Sequence, residues 1–79
     1  MEKLQEETLK MLKRIESLID KIEIVDDKGE EMITNIKAYI TDSKHFLHQQ
    51  DFIKAFESIV FAYGILETCE DLGVFKIEK

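Results

Sequence analysis

The sequence predicts an all-α protein, an up-down-up antiparallel bundle of three helices, and three observations lead to this fold. Its 79 residues include no proline and only three glycines, so the residues that most often end helices and make turns are scarce. Apolar residues recur at helical spacing in three stretches of similar length. Short connections join these stretches, which makes consecutive helices antiparallel neighbours. We therefore expect one domain over residues 1–79, with helices near residues 2–25, 28–49 and 52–72.

The first predicted helix, residues 2–25, is indicated by apolar residues that alternate at intervals of four and three. This spacing keeps one stripe of the helix facing a partner. Only Thr8 interrupts the series, and Leu12 and Ile19 widen it, as suits a helix that touches two neighbours. The series consists of Leu4, Met11, Ile15, Leu18, Ile22 and Val25.

The second predicted helix, residues 28–49, follows an acidic start signal in which Asp27 precedes Glu30 by three positions. This spacing is typical of a capping box, in which the Asp27 carboxylate accepts from the backbone N–H of Glu30 and the Glu30 side chain reaches back. The predicted core stripe of this helix consists of Met32, Ile33, Ile36, Tyr39, Ile40, Ser43, Phe46 and Leu47.

The third predicted helix, residues 52–72, contains the longest apolar concentration in the chain. Asp51 is expected to cap its N-terminus after a turn of two or three residues. At about 100° per residue, one sector of the helix collects Phe52, Phe56, Ile59, Tyr63 and Leu66.

The third helix is expected to end before Gly73, which suits the left-handed position that follows a helix. Val74 then packs back onto Cys69, as in a Schellman motif. Residues 74–79 are expected to form a loosely held tail. The tail residues expected to rest against the bundle are Val74, Phe75 and Ile77.

The acidic composition excludes several classes of partner. The net charge is −6 and Arg14 is the only arginine, whereas binding of nucleic acid needs clustered Lys and Arg. No segment has the roughly 18 apolar residues that cross a bilayer, and the first ten residues are too acidic and polar for a signal peptide. The lone Cys69 excludes an internal disulfide and is compatible with a reducing compartment. We expect a cytoplasmic protein with no nucleic-acid or membrane partner.

Phe61 and Ile65 fall on the opposite side of the third helix from its core sector, on an otherwise polar face. Scattered apolar residues are common on protein surfaces, and the C-terminal tail could cover these two. The other interpretation is a contact site for a second copy or a partner protein. Gly64 beside them costs about 1 kcal/mol relative to Ala in a helix, which favours a close approach. The sequence leaves both interpretations open.

An up-down-up arrangement brings the first connection and the end of the third helix to one pole, which we call the acidic pole. Anions in the last turns of a helix are disfavoured by the helix dipole. One interpretation is a solvated surface, and the other is a docking patch for a basic partner or a weak divalent-cation site. The connection lacks the alternating oxygen ligands of an EF-hand, so no dedicated metal site is expected. The acidic pole comprises Glu23, Asp26, Asp27, Glu30, Glu31, Glu67, Glu70 and Asp71.

The histidine and cysteine patterns do not predict catalysis. His45 and His48 share a helix face, but a zinc site takes three or four ligands. Cys69 is expected to be a small core residue, and its acidic neighbours would raise its pKa. We therefore expect no enzyme activity, catalytic residue, cofactor or metal, and a general-base role for either histidine is the least favoured hypothesis.

The run YITDSKHFLHQQDFIKAFESIVFAYGILETCEDLGVF, residues 39–75, resembles the archaeal domain-of-unknown-function family 357. The first helix matches that family only in length and amphipathic character. The chain has Asp42-Ser43 where the family tends towards Asp-Ala, and Leu66-Glu67-Thr68 where it tends towards Leu-Asp-Ala. The resemblance is carried by Tyr39, Asp42, Phe46, Leu47, Asp51, Ala55, Phe56, Ala62, Tyr63, Gly64, Leu66, Leu72, Gly73, Val74 and Phe75.

The resemblance implies a left-handed three-helix bundle in an archaeal cytoplasmic protein, and it implies no activity or cofactor. Asp42 lies at the edge of a core stripe, where a carboxylate is expected to have a dedicated partner. Our leading hypothesis is a non-enzymatic module that self-associates or docks on another protein through Phe61 and Ile65. The alternative is a binder of a cationic or metal ligand at the acidic pole.

Overall fold

The computed structural model describes residues 2–78, which form three packed helices and a small two-stranded antiparallel sheet. The prediction of three helices is confirmed, and the sheet is an addition to the predicted all-α fold. Met1 and Lys79 belong to the predicted domain, and Lys79 to the predicted tail, but both lie outside the described residues. No described helix has both the length and the apolar character to cross a membrane. In chain order the elements are α1 (Glu2–Ile19), β1 (Ile22–Ile24), α2 (Lys28–His48), α3 (Phe52–Leu72) and β2 (Phe75–Ile77).

Helix α1 ends at Ile19, so the prediction of a helix over residues 2–25 is wrong for its last part. Residues 20 and 21 form a turn and strand β1 follows. Ile22 belongs to the helical series, but Ile22 and Ile24 together satisfy a period of two, and isoleucine favours strands. Residues 22–24 form a strand because they pair with a second strand far along the chain. The local spacing of apolar residues does not reveal that pairing.

That partner is β2, which replaces the predicted loosely held tail. Phe75 is completely buried, and it belongs to the core cluster formed by the three helices. The backbone N–H of Val25 donates to the carbonyl oxygen of Val74 at 3.1 Å, which extends the pairing beyond the strands. The register pairs Ile22 with Ile77, Glu23 with Lys76 and Ile24 with Phe75.

Helix α3 begins and ends as its sequence predicts. The Asp51 carboxylate accepts from the backbone N–H of Lys54 at 3.2 Å. Gly73 has a φ of 75°, in the left-handed region. The N–H of Val74 donates to the carbonyl of Cys69 at 3.0 Å. In a Schellman motif this is the hydrogen bond that spans six residues.

The predicted capping box of α2 does not form. Asp27 makes no side-chain capping bond and has helical dihedrals, φ −54° and ψ −30°, whereas a capping residue usually lies outside the helical region. The Asp26 carboxylate instead accepts from the backbone N–H of Lys28 at 2.9 Å. The next residue, Gly29, is buried, and a Cβ there would lie 2.7 Å from Cγ2 of Ile24. Glycine therefore lets strand β1 approach the start of α2.

Two hydrogen bonds, one buried and one partly buried, join the helices. The Ser43 hydroxyl of α2 donates to the carbonyl oxygen of Ala55 in α3 at 2.8 Å, and both residues are completely buried. The Tyr63 hydroxyl of α3 donates to the carbonyl oxygen of Met11 in α1 at 3.0 Å. The core between them is formed by Leu12, Ile15, Ile36, Ile40, Ile59, Ala62, Leu66, Cys69 and Phe75.

Candidate functional site

Phe61 and Ile65 lie beside each other on α3, but their exposures differ. Phe61 is 58% exposed, and its ring lies against that of Tyr39 in α2, with the centroids 5.6 Å apart. Ile65 is half-buried and packs against the core. The predicted polar face is therefore an apolar strip at the border between α2 and α3.

This strip is part of a shallow cavity of about 710 Å³, which we call the apolar groove. Gly64 lies within it, and a Cβ at that residue would meet no atom within 4 Å. Sequence reasoning missed most of the lining. Val60, for example, lines the groove and is 43% exposed. The apolar side chains that line the groove are Met32, Val60, Phe61, Ile65, Leu72 and Val74.

The C-terminal tail does not cover Phe61. Strand β2 turns away to pair with β1, and only Val74, which precedes the strand, contributes to the lining. The covered interpretation of Phe61 is therefore wrong for the described residues. A signal for this existed in the sequence, since Phe75 and Ile77 alternate around a lysine as strand residues do.

The apolar groove and helix α1 lie on opposite sides of α3. Tyr63 faces α1, where it contacts Met11, whereas Phe61 faces the groove. A separation of two residues along a helix rotates the side chain by about 200°, so Phe61 and Tyr63 point in nearly opposite directions. The groove therefore lies on the side of α3 that α1 does not cover.

Two carboxylates flank the apolar groove, and neither has a hydrogen bond or an ion pair with another described residue. Glu57 is exposed and precedes Phe61 by one helical turn, on the same face. Asp42 is exposed and lines an adjoining cavity together with Tyr39 and Ile65. The prediction that Asp42 has a dedicated partner is therefore wrong within the described part of the chain.

Two lysines on the elements that form the groove already face carboxylates. Lys28, at one end of the groove, lies 3.4 Å from Glu31. Lys54, two turns before Phe61, lies 3.9 Å from Asp51. Exposed pairs of this kind contribute little stability, but their opposite charges cancel, so these lysines do not neutralise Glu57 or Asp42.

The members of the acidic pole lie on several elements of the structure. Its three α3 members, Glu67, Glu70 and Asp71, line a cavity of about 300 Å³ that also contains Arg14. This arginine supplies a counter-charge from α1 that the sequence interpretation did not include. The other members are all exposed and lie on β1, the following connection and the first turn of α2: Glu23, Asp26, Asp27, Glu30 and Glu31.

Within residues 2–78, no group of three or more His, Cys, Asp or Glu side chains is arranged to hold a metal ion. His45 and His48 are both exposed, and the His45 ring contacts Phe46 edge-on with the centroids 5.7 Å apart. Cys69 is buried, and this burial raises the pKa of its thiol. The expected direction of the pKa shift was correct, but its cause is desolvation and not the neighbouring carboxylates.

Comparison with known proteins places the chain beside one family. The family model described as a protein of unknown function, DUF357, matches residues 3–75. A crystal structure of an Archaeoglobus fulgidus protein carrying the same family description is 40% identical, with a TM-score of 0.87. The match covers 98% of this chain and 96% of that one. No curated protein matches the chain.

Proposed function

Because this chain belongs to the DUF357 family, whose function is unknown, its activity has to be inferred from its own surface, and we propose a non-enzymatic protein-interaction module. Its contact site is the apolar groove centred on Phe61 and Ile65. The proposed location is the cytoplasm, with which a single free cysteine is compatible. No cofactor is part of the proposal.

One observation carries the proposal, namely the clustering of exposed apolar side chains. Among the described residues, seven large hydrophobic side chains are exposed, and three of them line this one groove. Isolated apolar residues on a surface need no explanation, whereas a contiguous apolar patch is typical of an interaction site. The three are Val60, Phe61 and Leu72, the last being 75% exposed.

The up-down-up order of the helices is part of the proposal, because it creates the open side. Contacts between α2 and α3 run in opposite order along the chain, with Ser43 at Ala55 and Tyr39 at Phe61. Contacts between α1 and α2 also run in opposite order, since Lys44 pairs with Glu16 at 2.9 Å while residues 20 and 37 line a shared cavity. A left-handed twist stays a prediction from the family resemblance.

The test compares three forms of the full chain: wild type, Phe61→Glu and the control Leu9→Glu. Leu9 is 51% exposed on α1, away from the groove, so the control adds the same charge at a similar exposure. Each form is analysed by sedimentation equilibrium and used as bait in cytoplasmic extract of the source cells. We expect Phe61→Glu to lose the association that wild type and Leu9→Glu show. Equal association in all three, or none in any, refutes the proposal.

A cationic ligand at the acidic pole is the alternative, and the structure favours it less. Its α3 members share their cavity with Arg14, which already supplies a positive charge. If the alternative were correct, Glu30→Gln or Glu70→Gln would weaken a salt-sensitive calcium or polyamine titration. Flat calorimetric titrations of the wild-type protein exclude it.

A further inference from the structure

The shape of the apolar groove suits a helix. It follows α3 from Val60 to Leu72, a length of about 18 Å at 1.5 Å per residue. The open space above Gly64 lets another backbone approach the centre of the groove, with Phe61 on one side of that point. A helix of three to four turns, with apolar side chains on one face, would fill this space.

The charge around the groove restricts what that helix carries. Glu57 and Asp42 flank the groove without a cation among the described residues, while Lys28 and Lys54 already face carboxylates. A bound helix with Lys or Arg beside its apolar face would pair with these two carboxylates. A helix with acidic flanks would bring like charges together at the rim, which is unfavourable.

The same charges argue against a second copy of this chain as the occupant. A dimer formed through the groove would bring the exposed Glu57 and Asp42 of both copies to one interface. The whole chain carries −6. Self-association through this face therefore brings negative surfaces together, whereas a basic partner does not.

We infer that the apolar groove binds a basic amphipathic α-helix of another protein, which rests on the proposed interaction function and specifies its partner. The apolar side chains of that helix lie over Gly64 against Phe61 and Ile65. Its Lys or Arg residues face Glu57 on the α3 side and Asp42 on the α2 side. In this position it packs against α2 and α3 on the side opposite to α1.

The experiment uses three fluorescein-labelled peptides of about 15 residues, a length that covers the groove as a helix. They share one leucine face, and their remaining positions are all Lys, all Gln or all Glu. Fluorescence anisotropy measures the affinity of each for four forms of the full chain. These are wild type, Phe61→Ser, the double variant Asp42→Asn/Glu57→Gln, and the control Leu9→Ser.

We expect wild type to bind the Lys peptide about tenfold more tightly than the Gln peptide. It should bind the Glu peptide more weakly than the Gln peptide. Phe61→Ser should weaken binding of the Lys peptide by about tenfold or more, because it removes the central aromatic contact. The double variant should reduce the preference for Lys over Gln and leave the Gln peptide unaffected. Leu9→Ser should match wild type in every titration, and circular dichroism confirms that each variant is folded.

The outcomes separate this inference from the proposed function. If the Gln or Glu peptide binds as tightly as the Lys peptide and binding still depends on Phe61, the groove is an interaction site. The inference that its partner is a basic helix is then overturned. If binding of the Lys peptide is the same in wild type and Phe61→Ser, the inference is also overturned. A dimer of the wild-type protein that Phe61→Ser abolishes would assign the groove to a second copy, which keeps the proposed function and overturns the inference.

Discussion

Replacing Phe75 with alanine tests the least expected feature of the fold, the packing of strand β2 into the core. The side chain of Phe75 is completely buried among residues of the helices. Phe61 provides a matched control within the same protein, because it is the same residue type but 58% exposed. The two substitutions remove the same atoms from very different surroundings.

The expected cost of Phe75→Ala is about 3–5 kcal/mol, the usual loss for truncating a buried phenylalanine. A domain of 79 residues is expected to be stable by about 4–12 kcal/mol, so this loss is a large share of the total. Phe61→Ala should cost less than about 1 kcal/mol, since its ring loses only its contact with Tyr39 and part of its burial.

Urea unfolding followed by circular dichroism measures both costs. With a slope of about 1 kcal/mol per molar urea for a protein of this size, Phe75→Ala should lower the midpoint by about 3 M or leave the chain unfolded without urea. Lys76→Ala, an exposed neighbour in the same strand, controls for the loss of strand propensity. The reasoning is refuted if Phe75→Ala and Phe61→Ala have similar midpoints, because β2 would then be a loose tail in solution.

Three further predictions concern individual residues. Gly64→Ala should raise the free energy of unfolding by about 1 kcal/mol, because the added methyl enters open space and alanine favours the helix; an unchanged urea midpoint would contradict this. Gly29→Ala should lower it by about 1–3 kcal/mol, because the new Cβ would overlap Ile24; the same urea assay would show a gain if β1 were not packed there. Burial raises the pKa of Tyr63, opposed by Arg14 and aided by Glu67. Its contribution to stability is therefore complete below about pH 10 and is lost as the pH rises towards the folded pKa. Urea midpoints above pH 10 should fall more steeply for wild type than for Tyr63→Phe, and parallel curves would show that the phenol does not titrate differently in the two states.

The sequence predicted only part of the candidate site. Phe61 and Ile65 were identified because they lie about 180° from the core sector of their own helix, which is a property of one helix alone. Met32 and Val74 come from other segments, and Val60 became part of the groove only through the way that α3 packs against α2. Leu72 lies about three helical turns after Phe61 and therefore shares its face. The counter-charge at the acidic pole also depends on where α1 places Arg14 relative to Glu67.

The sequence by itself determined the features that depend on neighbours in the chain. Asp51 and Gly73 set the two ends of α3 through local hydrogen bonds and a single backbone conformation. Helical periodicity correctly placed Ile59 and Leu66 on its inward face. Only the tertiary structure decided the end of α1, because Ile22 fits both a helical and a strand period and the partner strand of β1 lies at the other end of the chain. It also decided that Phe75 is core and that Phe61 is exposed, since burial depends on which segments meet and not on the character of a side chain.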